Sequence, residues 1–262
     1  MDEEESLIKR LAINESLGKT RISVHMQFVR ATSNRTEADR IFRRAYLPQN
    51  WGPIEPMDRY FTRKNPTTER DPMIFFTSDL HLGHANVIRH CNRPFATVEE
   101  MDEVLIRNWN QKIKANDTVY ILGDLMFRNQ IPPDEYLKRL NGKKHLITGN
   151  HDRDWVKKCQ LEDYFESVNR LDYISDGRHQ MMLCHFPMMS WPHNTRAYMV
   201  FGHIHNNTDA EYWPLICRSE LMLNAGVDIN GFMPVTFDEM VVNNRKHKEM
   251  SLTLNHVKEE RT

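Results

Sequence analysis

The sequence has no long apolar run. Nothing in its 262 residues approaches the roughly 20 needed to cross a bilayer, and the opening Met1-Asp2-Glu3-Glu4-Glu5 is acidic where an export signal is cationic. Neither a membrane span nor export is expected, and the cytoplasm is the expected location. Cysteine is scarce: Cys91, Cys159, Cys184 and Cys217 stand far apart with no Cys-x-x-Cys pair, so neither a disulfide framework nor a thiolate zinc site is expected. Charge of neither sign is in excess, with 35 Lys+Arg against 36 Asp+Glu and a net charge of -1. That balance argues against the broad cationic surface on which polynucleotide binding usually rests. Internal repeats and low-complexity tracts are also absent. What is present suffices for a core: 40% of residues are hydrophobic, with five Trp, twelve Phe and eight Tyr. Wholesale disorder is therefore excluded, and the length fits one α/β domain with or without an appendage.

Residues 1–72 lack a strand pattern and end in the polar, Pro-bounded segment Asn65-Pro66-Thr67-Thr68-Glu69-Arg70-Asp71-Pro72, which reads as a linker. They form an expected N-terminal extension, of unassigned role, ahead of a domain at 73–262. Residues 16–46 hold Lys19, Arg21, Arg30, Arg35, Arg40, Arg43 and Arg44 against Glu37 and Asp39, and Thr36 to Tyr46 has helical spacing. A solvated helix face and a docking surface for nucleic acid or an acidic partner both fit this segment.

From Met73 onward, short apolar runs alternate with helical stretches. Strands are expected at Ile74 to Ser78, Thr118 to Leu122, His145 to Thr148, Gln180 to Cys184 and Tyr198 to Phe201. Helices are expected over Ala85 to His90, from Val98 to about Lys114, and over Pro133 to Leu140, the second opened by a Thr97-Val98-Glu99-Glu100 capping box. Such alternation indicates a layered α/β architecture whose functional groups gather at strand ends. The residues just past those runs are Asp79 and His81, Gly123-Asp124, Gly149-Asn150-His151-Asp152, His185, and Gly202-His203-Ile204-His205. Each run ends in a side chain able to ligate a metal. Carboxylate, amide carbonyl and imidazole are oxygen and nitrogen donors suited to divalent first-row ions. Asp79 and His81, two apart in an extended chain, point to the same side.

This ordered series resembles the calcineurin-like metallophosphoesterase superfamily, over about residues 73 to 242. Within it, Ser78-Asp79-Leu80-His81-Leu82-Gly83-His84, Asn92-Arg93-Pro94-Phe95 and Gly226-Val227-Asp228 resemble a small bacterial and phage branch. The resemblance implies a four-layer α/β/β/α sandwich with a two-metal site. Asp79, His81 and His205 are expected to hold one ion, Asn150, His185 and His203 the other, with Asp124 bridging. Leu125-Met126-Phe127 follows Asp124 in place of the Asp-Arg-Gly of the protein serine/threonine phosphatases, which argues against a phosphoprotein substrate.

The expected activity is hydrolysis of phosphoric esters. Two ions about 3.5 to 4 Å apart acidify a bridging water to hydroxide, neutralise developing charge and orient phosphorus for in-line attack. His151, beside Asn150, is the expected general acid on the leaving oxygen, and Asp152 is expected to orient or charge its imidazole. His84 and Asn86 could reach the substrate phosphate or instead cap a helix or support a ligand, and Arg93 could clamp a phosphoryl oxygen or instead hold the turn before Pro94. His193, Asn194 and Arg196 share a loop where substrate groups could be recognised. Trp191, Trp213 and the methionines read as packing residues. Manganese, iron, zinc and nickel all suit the donor set, and no oligomeric state is indicated. The alternatives are a metal-dependent nuclease or phosphodiesterase acting on nucleic acid or nucleotides, and a non-catalytic metal-binding scaffold.

Overall fold

Why the apolar runs alternate inward and outward becomes plain once the strands are paired. A computed structural model describes residues 70–127 and 131–259, with side chains as far as 253. The extension expected at 1–72, its basic segment and helix, and most of its linker lie outside the described residues. Strands β1 (Ile74–Thr77), β2 (Thr118–Ile121), β3 (Lys143–Ile147) and β4 (Phe165–Asn169) form one wholly parallel sheet in that order. Strands β5 (Leu171–Ser175), β6 (Gln180–Cys184), β7 (Tyr198–Phe201) and β8 (Met222–Asn224) form a second sheet, parallel except where β5 pairs antiparallel with β6. Helices α1 (Ala85–His90), α2 (Val98–Lys112), α3 (Pro133–Leu137), α4 (Trp213–Arg218) and α5 (Phe237–Glu259) connect and flank them.

Neighbouring residues of a strand face opposite ways, and three apolar clusters record the layering. Phe76 and Ile147 of the first sheet, with Leu122 just past β2, meet Met181, Leu183, Val200 and Leu223 of the second, which makes the layer between the sheets. Phe75, Val119, Ile121 and Leu146 turn outward against Met101, Leu105 and Trp109 of α2. Met182, Met199 and Phe201 turn outward against Trp213 and Ile216 of α4. The order is therefore helix, sheet, sheet, helix, with each fully buried Leu or Phe contributing roughly 1.5–3 kcal/mol. Among the described residues, no helix is long and apolar enough to cross a membrane.

Element ends differ from expectation for local reasons. Thr97 Oγ1 accepts from Glu100 N at 3.2 Å as a capping box requires, but Glu100 Oε2 accepts from Ala96 N at 2.8 Å rather than from Thr97. Helix α2 stops at Lys112 because Ile113 is extended and fully buried, and the Asp117 carboxylate then takes Lys114 N at 2.7 Å. Helix α3 ends at Leu137, short of Leu140, and the chain turns at Gly142 (φ 90°) to start β3 two residues earlier than His145.

Candidate metal centre

The parallel strands of both sheets deliver their C-terminal ends to one edge of the sandwich. There the backbone is strained in one consistent way. Asp79 (φ 58°), His81 (54°), Asp124 (53°), His203 (70°) and His205 (50°) are five of the eight non-glycine residues with positive φ among the described residues. Each such residue costs about 1–3 kcal/mol, and strain of this kind persists where surrounding bonds over-determine it. Those bonds are present: Asp79 N donates to Gly123 O and His81 N to Asp124 O, both at 3.0 Å. The Arg93 guanidinium donates to Asp79 O at 2.7 Å and Leu80 O at 2.9 Å. Asp79 and His81 therefore share a side because both bend in left-handed turns beyond the strand, not because the chain stays extended as expected from their spacing.

The strained turns bring the donors together. Ligand atoms of Asp79, His81 and His205 lie within 4.8 Å of one another, as do those of Asp79, Asp124 and His185. Asp124 Oδ2 is 3.6 Å from His81 Nε2 and 3.4 Å from His185 Nε2, which puts it between the two groups. Asn150 Oδ1 is 3.1 Å from His185 Nε2. His203 stands at the wall, its ring 5.2 Å from that of His185, while its backbone N donates to both oxygens of Asp79, 124 residues away. Such proximity needs glycine at Gly123 (φ 86°), where a Cβ would lie 2.5 Å from His185 Nδ1.

Hydrogen bonds on the far side of each ring fix which nitrogen faces inward. His185 Nδ1 sits 2.8 Å from Leu122 O, and a carbonyl only accepts, so Nδ1 carries the proton there. His205 Nδ1 is held at 2.8 Å by Asp228 Oδ2, and His81 Nδ1 meets His84 Nδ1 at 3.2 Å. In all three, Nε2 is the atom turned toward Asp79 and Asp124. His81 Nε2 is buried and has no hydrogen-bond partner. A buried polar atom without a partner costs about 1–3 kcal/mol, and a cation held by neighbouring carboxylates would satisfy it. The donor set therefore fits divalent ions.

The electrostatics agree. Burial alone would depress His185 and His205, yet the carboxylates override it. Hydrogen bonding to Asp124, with the Asp79 charge, pushes His185 up to about 9. Hydrogen bonding to Asp228, with Asp79 nearby, pushes His205 up to about 10. Burial raises the Asp79 carboxyl, while at Asp124 the bond to His185 outweighs burial and holds it down at about 2. His81 goes the other way, lowered to about 2 chiefly by burial. The carboxylates thus favour positive charge at His185 and His205, while burial keeps His81 neutral.

The other candidate residues fall in different places. His151 lies on the rim, its side chain 34% exposed and its Nε2 4.0 Å from Asp124 Oδ2, with its backbone N donating to Asp124 Oδ1 at 2.9 Å. Asp152 does not orient the His151 ring as expected. It is fully buried, and its oxygens accept from Asp124 N (2.8 Å), Gly149 N (2.7 Å), Leu125 N (3.0 Å) and Trp155 Nε1 (2.7 Å). It ties the Asp124 turn to the Asn150 turn. Arg93 is not a phosphate clamp either: it is buried, and its donors engage the Asp79 turn and, bidentately at 2.8 and 2.9 Å, Asp228. Asn86 is exposed, accepts from Arg89 at 3.0 Å and does not line the cavity beside the donors. His84 both orients His81 and lines a cavity of about 680 Å3 that includes His151, His203, His205 and Asn206. His193, Asn194 and Arg196 do not line that cavity. Trp213 is buried in the apolar layer between the second sheet and α4, and Trp191 packs against that layer.

Sequence reasoning assigned no role to Asp228 or Asn224. Asp228 bridges Arg93 and His205, and Asn224 Nδ2 donates to His205 O at 2.8 Å. The only signal was Gly226-Val227-Asp228, noted as a motif.

Comparison with known proteins places the chain. The model of the family described as calcineurin-like phosphoesterases matches residues 72–212, more than half of the chain. A protein of Methanocaldococcus jannaschii is 36% identical over 170 residues, covering 64% of this chain and 89% of its own length. The gene 66 protein of Mycobacterium phage D29 is 35% identical over 129 residues, covering 44% of this chain and 63% of its own. Among solved structures, a protein of unknown function from Aquifex aeolicus superposes with a TM-score of 0.52 at 25% identity, covering 64% of this chain and 97% of that one.

Proposed function

This chain belongs to the calcineurin-like phosphoesterases, hydrolases of phosphoric esters that use divalent metals, and on that premise we propose that its strand-end cluster hydrolyses phosphate esters with two metal ions and a leaving-group acid. The observation that carries the reading is the convergence of three imidazole Nε2 atoms, one of them buried without a partner, on the carboxylates of Asp79 and Asp124. Asp79, His81 and His205 would hold one ion, Asn150, His185 and His203 the second, and Asp124 would contribute to both. When bound, such ions neutralise phosphoryl charge and lower the pKa of water toward neutrality. Manganese is a suitable occupant, and iron, zinc or nickel would serve the same donors.

The chain's own groups supply the rest. His151 stands at the cavity side of Asp124, half-exposed, where its Nε2 can pass a proton to the departing ester oxygen. The His151 ring packs edge-on against Phe127 with centroids 4.5 Å apart, which limits its swing. Asp152, Arg93 and Asp228 hold the turns that carry the ligands.

The test is His151→Asn in the manganese-loaded protein. It should keep two ions per chain by elemental analysis. Turnover of alkyl esters should fall about 10²- to 10⁴-fold, and that of p-nitrophenyl esters, whose leaving group needs no acid, far less. Equal turnover of alkyl esters by mutant and parent would remove His151 from this role. A non-catalytic scaffold would turn over neither ester class.

A further inference from the structure

Two cavities flank the strand-end cluster, and they differ in charge. The one that includes His151 has no lysine or arginine in its lining. The second, of about 660 Å3, shares no lining residue with the first and reaches the cluster through Asn150. Arg153, Lys157 and Arg170 line it, with no carboxylate among the lining residues. All three are exposed, and none forms an ion pair among the described residues. Arg153 and Lys157 follow the turn fixed by Asp152, and Arg170 stands where the chain passes from β4 to β5. Like charges gathered round one hollow repel each other, so an anion seated among them is stabilised by all three.

In-line displacement assigns each hollow a part of the substrate. Water attacks phosphorus, and the bond from phosphorus to the leaving oxygen breaks. That oxygen takes the proton of His151, which the proton lost by water restores through solvent. The leaving arm therefore lies on the His151 side. Only an arm that stays bonded to phosphorus can extend into the cationic hollow, and a monoester has no such arm. We propose that the substrate is a phosphodiester whose retained arm carries a second phosphate, and that Arg153, Lys157 and Arg170 bind that phosphate. The inference rests on the proposed function above. Phe186 and Leu171, 45% and 52% exposed on the walls of the same hollow, offer an apolar face to a base between the two phosphates. A nucleotide strand and a small bisphosphorylated nucleotide share this chemistry.

The experiment compares kcat/KM of the manganese-loaded full chain for p-nitrophenyl phosphate, thymidine 5′-(p-nitrophenyl phosphate), and the latter compound carrying a 3′-phosphate. The added phosphate should raise kcat/KM about tenfold, mainly through KM, and the gain should shrink as salt rises. The combined substitutions Arg153→Gln, Lys157→Gln and Arg170→Gln should abolish the gain. A gain complete with one 3′-phosphate identifies a small nucleotide, whereas a further rise along oligothymidylates of increasing length identifies a strand. No gain in the parent, or a gain that survives in the triple variant, overturns the inference. Failure to turn over any of the three aryl esters overturns the phosphoesterase reading instead.

Discussion

Replacing Asp152 with Asn changes almost no volume and removes one charge, yet it should damage both stability and metal binding. The two carboxylate oxygens divide four donors equally. Oδ2 takes Asp124 N and Gly149 N, and Oδ1 takes Leu125 N and Trp155 Nε1. Whichever way an Asn amide flips, its NH2 faces two N–H groups, so two bonds are lost and two buried donors are left unmade. Hydrogen bonds to charged groups contribute about 1.5–3 kcal/mol each. Against that loss, Asn relieves the burial that pushes the Asp152 carboxyl up. The net cost should be about 2–4 kcal/mol, which for a unit of this size lowers the melting temperature by about 5–15 °C. Because Asp124 and Asn150 both ride on the turns it ties together, manganese affinity should fall about 10- to 100-fold. Differential scanning calorimetry of the metal-free protein and manganese titration calorimetry measure the two effects. A variant that melts within about 2 °C of the parent and binds manganese equally well would refute the reasoning.

Other perturbations probe different supports of the site. Arg93→Met leaves the Asp228 carboxylate, whose side chain is 1% exposed, without its bidentate partner, and urea denaturation should show a loss of about 3–5 kcal/mol. Arg93→Lys should restore only part of it, since an ammonium cannot match the fork. Gly202→Ala places a Cβ inside the radius of Ser78 Oγ and 2.6 Å from Asp79 Oδ2. Manganese titration of Gly202→Ala should show the first site weakened, and parent-like binding would contradict the packing described. Asp117 resists the upward push of burial because Arg70 and the amides of Lys114 and Met73 bind it, and its carboxyl lies below the usual range. The unfolded chain then binds the extra proton first, so this stabilisation is present above about pH 3.9 and is lost as pH falls through the folded value. Asp117→Asn should flatten the acid limb of a stability-against-pH curve, and an unchanged limb would show that the group is not linked to folding.

The parts of the fold legible in the sequence are those whose physics is local. Buried parallel strands read as continuous apolar runs, and Gln180–Cys184 and Tyr198–Phe201 match the expected bounds. Strands β4 and β5, with sequences FESVN and LDYIS, are half-exposed and carry no such run, and β8 is only three residues long. Helix α5 also went unread, because only Phe237, Met240 and Val241 of its inward face are apolar, and further along polar ties take over, such as the Asn244 amide to Asn224 O at 2.9 Å and Lys248 Nζ to Met222 O at 2.8 Å. The donors at strand ends were legible because each of the five strands readable in the sequence, β1, β2, β3, β6 and β7, supplied one just past its end. Their supports were not. Asp228 and Arg93 are 135 residues apart, and nothing in either neighbourhood announces the other. Asp152 was misread because adjacency to His151 in sequence suggested contact, whereas successive residues of a tight turn point apart.

The candidate ligands come from both layers of the sandwich: Asp79, His81, Asp124 and Asn150 leave the first sheet, and His185, His203 and His205 leave the second. A chain with one sheet assembled holds about half of these candidate donors, so tight binding of an ion there would belong to the native molecule alone. A ligand of that kind, supplied at a hundredfold excess over its dissociation constant, deepens the native well by about 2.7 kcal/mol. Starvation for the ion would then shorten the lifetime of the polypeptide under heat or protease as well as silencing its chemistry.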